Sequence, residues 1–170
     1  MPNAIRQLED RPIRGGVNYL GPSPVTLVRE NTDLEIANTT TETAVLEYTI
    51  PANTLTGDRG LRVTMSSLKT NTSGSDANFT KRVKLGATTL YTTGAVLLET
   101  GNTEERRTLF DLCAKDSDAE QELFYFETAA IYGSATEDAT TELVLQVTVQ
   151  MSAAHANLKF LCRRYLIEYI

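Results

Sequence analysis

His155 is the only histidine of the chain and the first residue to weigh for chemistry. A Ser-His-Asp or Cys-His site would need it, because imidazole is the side chain that accepts a nucleophile's proton near neutral pH. The surrounding segment SAAHANL is accompanied by neither a GxSxG elbow nor a Cys-Gly motif. We therefore predict that His155 occupies a loop and that the chain has no catalytic residue.

Carboxylates at alternate positions form a second candidate, in the segment KDSDAEQE. Asp116, Asp118 and Glu120 have the spacing that can gather oxygen ligands around Ca²⁺. An EF-hand loop would also need a central glycine and a bidentate glutamate at its twelfth position, and this segment has neither. The sequence predicts a solvated acidic turn, with an adventitious calcium site as the alternative.

A third group combines the carboxylates Glu104 and Glu105 with Arg106 and Arg107. Paired carboxylates can serve glycoside hydrolysis, but the chain has no tryptophan that could stack on a sugar ring. We interpret this group as the exposed, charged beginning of a strand. Since no pattern predicts a cofactor either, we expect a protein that is not an enzyme.

Cys113 and Cys162 are the two cysteines, and they lie far apart in the sequence. A zinc site needs several close Cys or His ligands, and the chain has neither a CxxC motif nor clustered histidines. We therefore predict no metal centre. We expect both cysteines to be reduced and buried, with a single disulfide as the alternative.

The bulk composition restricts the partners of the chain. A net charge of −6 argues against a nucleic-acid partner, because phosphate contacts need a basic surface. No segment approaches the roughly 20 apolar residues of a membrane helix, and the first residues lack the apolar core of a signal peptide. We expect synthesis in the cytoplasm and neither a nucleic-acid nor a membrane partner.

The elements that must position these residues are strands. Apolar and polar residues alternate in short segments, threonine makes up about one residue in seven, and long patterns of helical period are nearly absent. The clearest alternation places the apolar residues of 143–151 on one face. Strands are predicted at residues 25–28, 44–50, 61–66, 79–85, 88–93, 107–114, 123–130, 143–151 and 158–170.

The predicted faces and connections define the fold class. Leu61, Val63 and Met65 are expected to face inward, and Phe124 and Phe126 mark the strand at 123–130. Residues 33–43, 71–76 and 133–140 are predicted connections, and the long ones favour a Greek key over a meander. The sequence predicts an all-β fold, a jelly-roll-like antiparallel β-sandwich of residues 25–170 with an extended N-terminal arm.

Residues 1–24 form that arm. They contain four of the five prolines together with three glycines and three arginines, so neither a helix nor a long strand suits them. We expect the arm to dock on a neighbouring subunit, and the alternative is a terminus without a partner. The expected apolar anchors are Ile5, Leu8, Ile13, Val17, Tyr19 and Leu20.

Lys81, Arg82 and Lys84 form a basic strip in an otherwise acidic body. Charged residues commonly protect an edge strand against pairing with another chain. The alternative is a docking surface for an acidic partner such as a capsid shell.

The last predicted strand, residues 158–170, carries apolar residues on both faces, interrupted by Arg163 and Arg164. Such a strand suits either the centre of a sandwich or a subunit interface, and Tyr165 and Tyr169 are candidate contacts. Arg164 stands on an otherwise apolar face, so we expect it to need an acidic or carbonyl partner, which another chain could supply.

Residues 50–94 carry the clearest turn signals. Pro51 withholds its N–H and should end a strand, the side chain of Asn53 can hold a turn, and Leu55 is the expected return to the core. The segment IPANTL at 50–55, an alternating strand and the segment KLGATTL at 84–90 resemble small structural proteins of tailed bacteriophages. In that group an IPANTL turn and an LG-x-T-x-L hairpin recur in jelly-roll domains of capsid cement or decoration proteins and of fibre-associated modules.

The resemblance covers residues 44–94 and implies an architecture and a virion origin. It implies no functional residue, because the shared positions form turns or anchor the core. We expect a cement or decoration protein on the capsid exterior whose partners are the major capsid protein and further copies of itself, with a trimer favoured over a dimer. The alternative is a receptor- or carbohydrate-binding module of a tail fibre or spike. No cofactor is implied.

Overall fold

The alternating segments fold into twelve β-strands within the described part of the chain. The computed structural model describes residues 25–57, 59–115, 117–126 and 131–170. The predicted arm of residues 1–24, with its anchors, lies outside the described residues. The strands are β1 (Val25–Glu30), β2 (Leu34–Ala37), β3 (Thr43–Ile50), β4 (Gly60–Asn71), β5 (Ala77–Leu85), β6 (Thr88–Thr92), β7 (Val96–Leu98), β8 (Asn102–Lys115), β9 (Ser117–Tyr125), β10 (Ile131–Ala135), β11 (Leu143–Met151) and β12 (Leu158–Tyr169).

The strands form two antiparallel sheets. The large sheet has seven strands in the order β1-β12-β4-β8-β9-β10, and β2 also pairs with β12. The small sheet has five strands in the order β3-β11-β5-β6, and β7 also pairs with β5. None of the described residues forms a helix long and apolar enough to cross a membrane.

The order of pairing is that of a jelly roll. The innermost pair is the hairpin β5–β6, and β4–β8, β3–β11 and β2–β12 follow outward along the chain. These nested pairs alternate between the two sheets, which makes the two Greek keys of an eight-stranded jelly roll. Strands β9 and β10 extend the large sheet beyond β8. The predicted all-β, jelly-roll-like antiparallel sandwich is confirmed.

Period-two alternation determines the core between the sheets. Leu61, Val63 and Met65 of β4 are fully buried, as predicted, while the residues between them are partly exposed. The largest buried side chains include Phe110, Tyr125 and Phe160, all from the large sheet. Burial of such aromatic residues supplies much of the hydrophobic stabilisation of a small core.

The predicted corners are also present. β3 ends at Ile50, directly before Pro51, and Asn53 adopts a φ of 61°, the left-handed conformation that asparagine tolerates. Leu55 is 1% exposed, so it does return to the core. Gly86, with a φ of 53°, joins β5 to β6.

Strand β9 begins at Ser117, so Asp118 and Glu120 lie in a strand and not in the predicted acidic turn, and it ends at Tyr125. Leu123 and Tyr125 are fully buried, whereas Phe126 is 48% exposed. Phe124 and Phe126 therefore belong to the outward set. The short strands β2 and β7 lie in segments predicted as connections or left unassigned, and β10 includes the first residues of a predicted turn.

A β-bulge explains why β12 is apolar on both sides. Cys162 pairs with Ser67 and Arg164 with Ser66 of β4, so Arg163 has no opposite residue. The inward residues are Leu158, Phe160 and Cys162 before the bulge and Tyr165, Ile167 and Tyr169 after it. The bulge falls where Arg163 and Arg164 were predicted to interrupt both apolar faces, and it exchanges the inward and outward sets at that point. The strand lies inside the large sheet, between β4 on one side and β1 and β2 on the other.

The two sheets approach each other where β10 meets β6. A side chain at Gly133 would collide with the backbone carbonyl of Leu90. Beside this contact, the rings of Tyr91 and Tyr125 stack with centroids 3.9 Å apart. Glycine at position 133 therefore permits the sheets to close along this side.

The cysteines occupy distant positions along β4. Cys113 lies opposite Gly60 and Cys162 opposite Ser67, seven residues apart or roughly 23 Å along the strand. A disulfide requires Cα atoms within about 7 Å. The prediction of two free thiols is confirmed, although Cys113 is only partly buried.

We predict that Gly133→Ala lowers the free energy of unfolding by about 2 kcal/mol, because the added methyl group overpacks the contact with Leu90. Urea unfolding measures the loss. The exposed neighbour provides a control, and Ser134→Ala should change stability by less than about 0.5 kcal/mol. Equal stability of both variants would contradict the close approach of β10 and β6.

We predict that Cys162 resists thiol reagents in the folded protein. Burial raises its pKa to about 11, so at pH 8 only about one thiol in a thousand is ionised. In a Cys113→Ser variant, Ellman's reagent should label no thiol before denaturation and one thiol in guanidinium. Rapid labelling of the folded variant would contradict the burial of Cys162.

Candidate functional site: an arginine groove on the large sheet

The register of four strands arranges the outer face of the large sheet in rows. One row, the arginine row, runs from Arg164 of β12 through Ser66 of β4 to Arg107 of β8. The next row, the leucine row, contains one residue from each of four strands and Phe126, which follows β9. Strand pairing joins the first four, and the Phe126 amide donates a hydrogen bond to the Leu109 carbonyl. The members of this row are Arg29, Leu166, Thr64, Leu109 and Phe126.

A shallow groove of about 360 Å³ lies over these rows. We call it the arginine groove. Its walls combine three arginines with hydroxyl and amide groups and two larger side chains. The lining residues are Arg29, Asn31, Thr64, Ser66, Arg107, Arg164, Tyr165 and Leu166.

Elsewhere on this outer face, basic side chains are matched by carboxylates of the same chain. Arg62 makes two hydrogen bonds of 2.8 and 2.7 Å to Asp111, which raise the pKa of its guanidinium group. Lys159 pairs with Glu35 at 3.0 Å, and Arg163 pairs with Glu105 at 2.8 Å. These pairs neutralise the sheet surface on both sides of the groove.

The three arginines of the groove are not matched. Within the described residues, the guanidinium groups of Arg29, Arg107 and Arg164 have neither an ion pair nor a hydrogen bond, and no carboxylate lines the groove. All three residues are exposed. The groove thus concentrates positive charge on a chain whose net charge is −6.

This arrangement suits the binding of anions. Arg164 and Arg107 are two strands apart, or about 10 Å between backbones, so their long side chains can reach one anionic group or two adjacent ones. A guanidinium fork binds carboxylate and phosphate groups through paired hydrogen bonds. The strands beneath hold the row rigid.

The residues predicted on β12 divide between groove and core. Arg164 and Tyr165 line the groove, and Arg163 is already paired. Tyr169 packs against the core, and burial raises the pKa of Tyr165. Arg164 is exposed and has no partner among the described residues, so the expectation that it needs one stays a prediction.

The predicted basic strip is not one surface. β5 lies between β11 and β6, so the expectation of an edge strand is wrong. Lys81 faces inward and is 8% exposed; its ammonium group donates to the Thr108 hydroxyl at 2.8 Å and lies 5.4 Å from the ring centre of Tyr125. Lys81 cannot belong to a docking surface while it is buried between the sheets.

Arg82 and Lys84 face outward on the small sheet, where they share one carboxylate. Glu42 lies 3.0 Å from Arg82 and 2.6 Å from Lys84, and it accepts a hydrogen bond of 2.6 Å from Thr148. The hydrogen bond from Lys84, followed by that from Thr148, lowers the pKa of Glu42. Both cations therefore have a carboxylate partner within the chain, although the three side chains together keep one positive charge.

The residues considered as candidates for chemistry take part in turns and ion pairs of the fold. His155 is exposed and shapes the turn before β12: its Nδ1 accepts from the Asn157 amide at 3.1 Å. Glu104 pairs with Lys69 and Arg106. Asp116 lies outside the described residues, and the remaining described side chains include no group of three or more metal-ligating residues. The expectation of no enzyme and no metal stays a prediction.

Sequence reasoning found Arg164 but missed the groove. Arg107 was assigned only to a charged segment, and Arg29 was not singled out. The available signal was weak, because the three arginines stand at outward positions of different strands and Glu30, Glu104 and Glu105 lie close to two of them in the sequence. Only the pairing of β1, β12, β4 and β8 shows that they share one surface.

The chain matches no protein-family model and no curated protein sequence. Among solved structures, it is similar to a chain of the Gt strain of infectious bursal disease virus, with 13% identity over 87% of this chain and 33% of that chain and a TM-score of 0.46. The chain thus spans about a third of the viral chain.

Two further similarities involve carbohydrate modules. The CBM2 module of the evolved Dit of Lactobacillus casei BL23 phage J-1 has 6% identity over 72% of this chain and 67% of that chain, with a TM-score of 0.35. The C-terminal domain of EclA, a sugar-binding protein, has 10% identity over 92% and 88%, with a TM-score of 0.40. These TM-scores are low, and we draw no function from them.

We predict that Glu42→Gln lowers the free energy of unfolding by about 1 kcal/mol at pH 7, because Arg82 and Lys84 lose their shared carboxylate. The pKa of Glu42 is below 4.5 in the folded state, so its stabilisation is present above pH 4.5 and disappears as the pH falls through the folded value. Urea unfolding at pH 7, 5 and 3 should show the two proteins converging.

The control for this prediction is Glu142→Gln, which removes an exposed carboxylate. It should cost less than about 0.5 kcal/mol at pH 7. A deficit of Glu42→Gln that is the same at pH 7 and pH 3 would show that its charge does not stabilise the fold.

Proposed function

We propose that this protein is a structural component of a tailed-phage virion, a decoration protein that binds the capsid exterior as a homo-oligomer. The observation that carries the proposal is the arginine groove: three exposed arginines on the outer face of the jelly roll, with no carboxylate among the described residues that line the groove. The resemblance of residues 44–94 to phage structural proteins supports the choice of partner.

The surroundings of the polar residues support binding over catalysis. Glu104, Glu105 and Asp111 are each held by a basic side chain. The exposed His155 takes part in a turn. General acid–base chemistry would instead need such groups to converge on a site where a substrate can bind. The described residues that line the groove provide cations and hydroxyl groups and include no carboxylate or histidine.

Weak individual contacts are sufficient for attachment to a capsid surface. Each shell presents the same contact many times, so an oligomer that engages several neighbouring sites gains affinity through effective concentration. The ion pairs around the groove neutralise most of the outer face, which leaves the groove as the region where charge can select a partner. The major capsid protein would supply the opposing acidic surface.

A receptor- or carbohydrate-binding module of a tail fibre or spike is the second candidate. Its specific support is the volume of the groove, about 360 Å³, which falls within the range of small-ligand sites. Asn31, Thr64 and Ser66 could donate or accept hydrogen bonds with sugar hydroxyl groups.

We predict that the purified protein co-sediments with phage heads stripped of accessory proteins, in many copies per head, and does not bind host cells. Binding should saturate at a fixed stoichiometry, because the shell offers a fixed number of equivalent sites. Heads already carrying the protein serve as the control and should take up little more. Binding to cells or neutral glycans, without binding to heads, would contradict the decoration role and favour the second candidate.

A further inference from the structure

We infer that the arginine groove and the leucine row together bind an extended, acidic segment of a partner protein. Its carboxylates would pair with Arg107 and Arg164, and an apolar side chain two residues away would rest on the leucine row. This inference rests on the proposed function, because it specifies the chemistry of the partner in that attachment.

The lack of carboxylates beside the groove arginines among the described residues indicates an anionic ligand. On the outer face of the large sheet, Arg62, Lys159 and Arg163 each have a carboxylate partner from this chain. The groove residues Arg29, Arg107 and Arg164 have none among the described residues. A partner that brings carboxylates would pair with these arginines, as carboxylates of this chain pair with the other basic side chains of the face.

The leucine row favours a protein segment over a phosphate or a sugar acid. Phe126 is 48% exposed, and Leu109 and Leu166 are only partly buried on the same face. Arginine beside aromatic and aliphatic side chains is the composition enriched in protein–protein interfaces. A phosphate group would make no use of the apolar row.

The spacing of the two rows fits an extended chain. The rows are separated by two residues along each strand, for example Ser66 and Thr64 of β4, or roughly 7 Å. Side chains at positions i and i+2 of an extended peptide point the same way and have the same separation. A peptide parallel to the strands, with an acidic residue two positions from an apolar one, would therefore engage both rows at once.

The adjacent arginines of β12 provide a matched pair of variants. Arg164 lies in the groove and has no partner among the described residues, whereas Arg163 is paired with Glu105 outside it. Both are exposed, so charge reversal at either should leave the fold intact, which circular dichroism and thermal unfolding would verify. The test compares Arg107→Glu/Arg164→Glu with Arg163→Glu.

The first measurement uses the peptide Ser-Glu-Glu-Ser-Phe-Ser displayed densely on a biosensor. We expect the wild type to bind, with affinity falling between 50 and 300 mM NaCl. Arg107→Glu/Arg164→Glu should bind at least tenfold more weakly, and Arg163→Glu within about threefold of the wild type. Peptides with Gln for Glu, or Ser for Phe, should each bind more weakly.

The same sensor loaded with polygalacturonate tests for a sugar acid. Binding of polygalacturonate but not of the peptide, when it depends on Arg107 and Arg164, would overturn the inference in favour of a glycan. A change of oligomeric state in Arg107→Glu/Arg164→Glu, measured by light scattering, would overturn it in favour of a second copy of this chain.

Head binding separates this inference from the proposed function. If the wild type and Arg107→Glu/Arg164→Glu decorate heads equally, the groove inference fails and the decoration role stands. If the wild type binds the peptide through the groove but does not bind heads, the decoration role fails and the acidic-segment site stands. Loss of head binding in the double variant alone, with Arg163→Glu unaffected, supports both.

Discussion

The pairing of β4 with both β8 and β12 is the constraint on which the rest of the structure depends. β4 pairs with β8 from Gly60 to Asn71 and with β12 from Leu61 to Asn71. Because side chains alternate along a strand, this register decides which residues enter the core and which stand on the outer face. It places Met65 inside and Ser66 outside, and a shift by one residue would exchange the two sets.

The same register produces an electrostatic contrast on the outer face. Exposed ion pairs such as Arg163–Glu105 contribute little to stability individually. Their effect here is local neutralisation, which leaves the arginine groove as a distinct positive region. Three neighbouring like charges repel one another, and no described carboxylate offsets that repulsion. The acidic partner that we propose would offset this repulsion.

The sequence alone predicted most of the fold. Alternation was clear in β4 and β11, and Pro51 and Gly86 placed corners correctly, because their effects are local. Prediction from sequence failed where the local pattern of apolar residues did not distinguish the inward face of a strand from its outward face. At the end of β9 apolar residues occupy both faces, so alternation did not show that Leu123 and Tyr125 face the core while Phe124 faces outward. In β12 the bulge at Arg163 exchanges the faces halfway along the strand, and a bulge depends on the partner strand.

For the candidate site too, some features follow from the sequence and others only from the tertiary structure. The sequence by itself determined an all-β scaffold and its corners, because these follow from local geometry. Only the tertiary structure decided that Lys81 is buried, that Arg82 and Lys84 share Glu42, and that Arg164 has two companions. Those companions come from β1 and β8, which are remote in the sequence. Antiparallel pairing brings them to one surface, and no short-range pattern records which strands become neighbours.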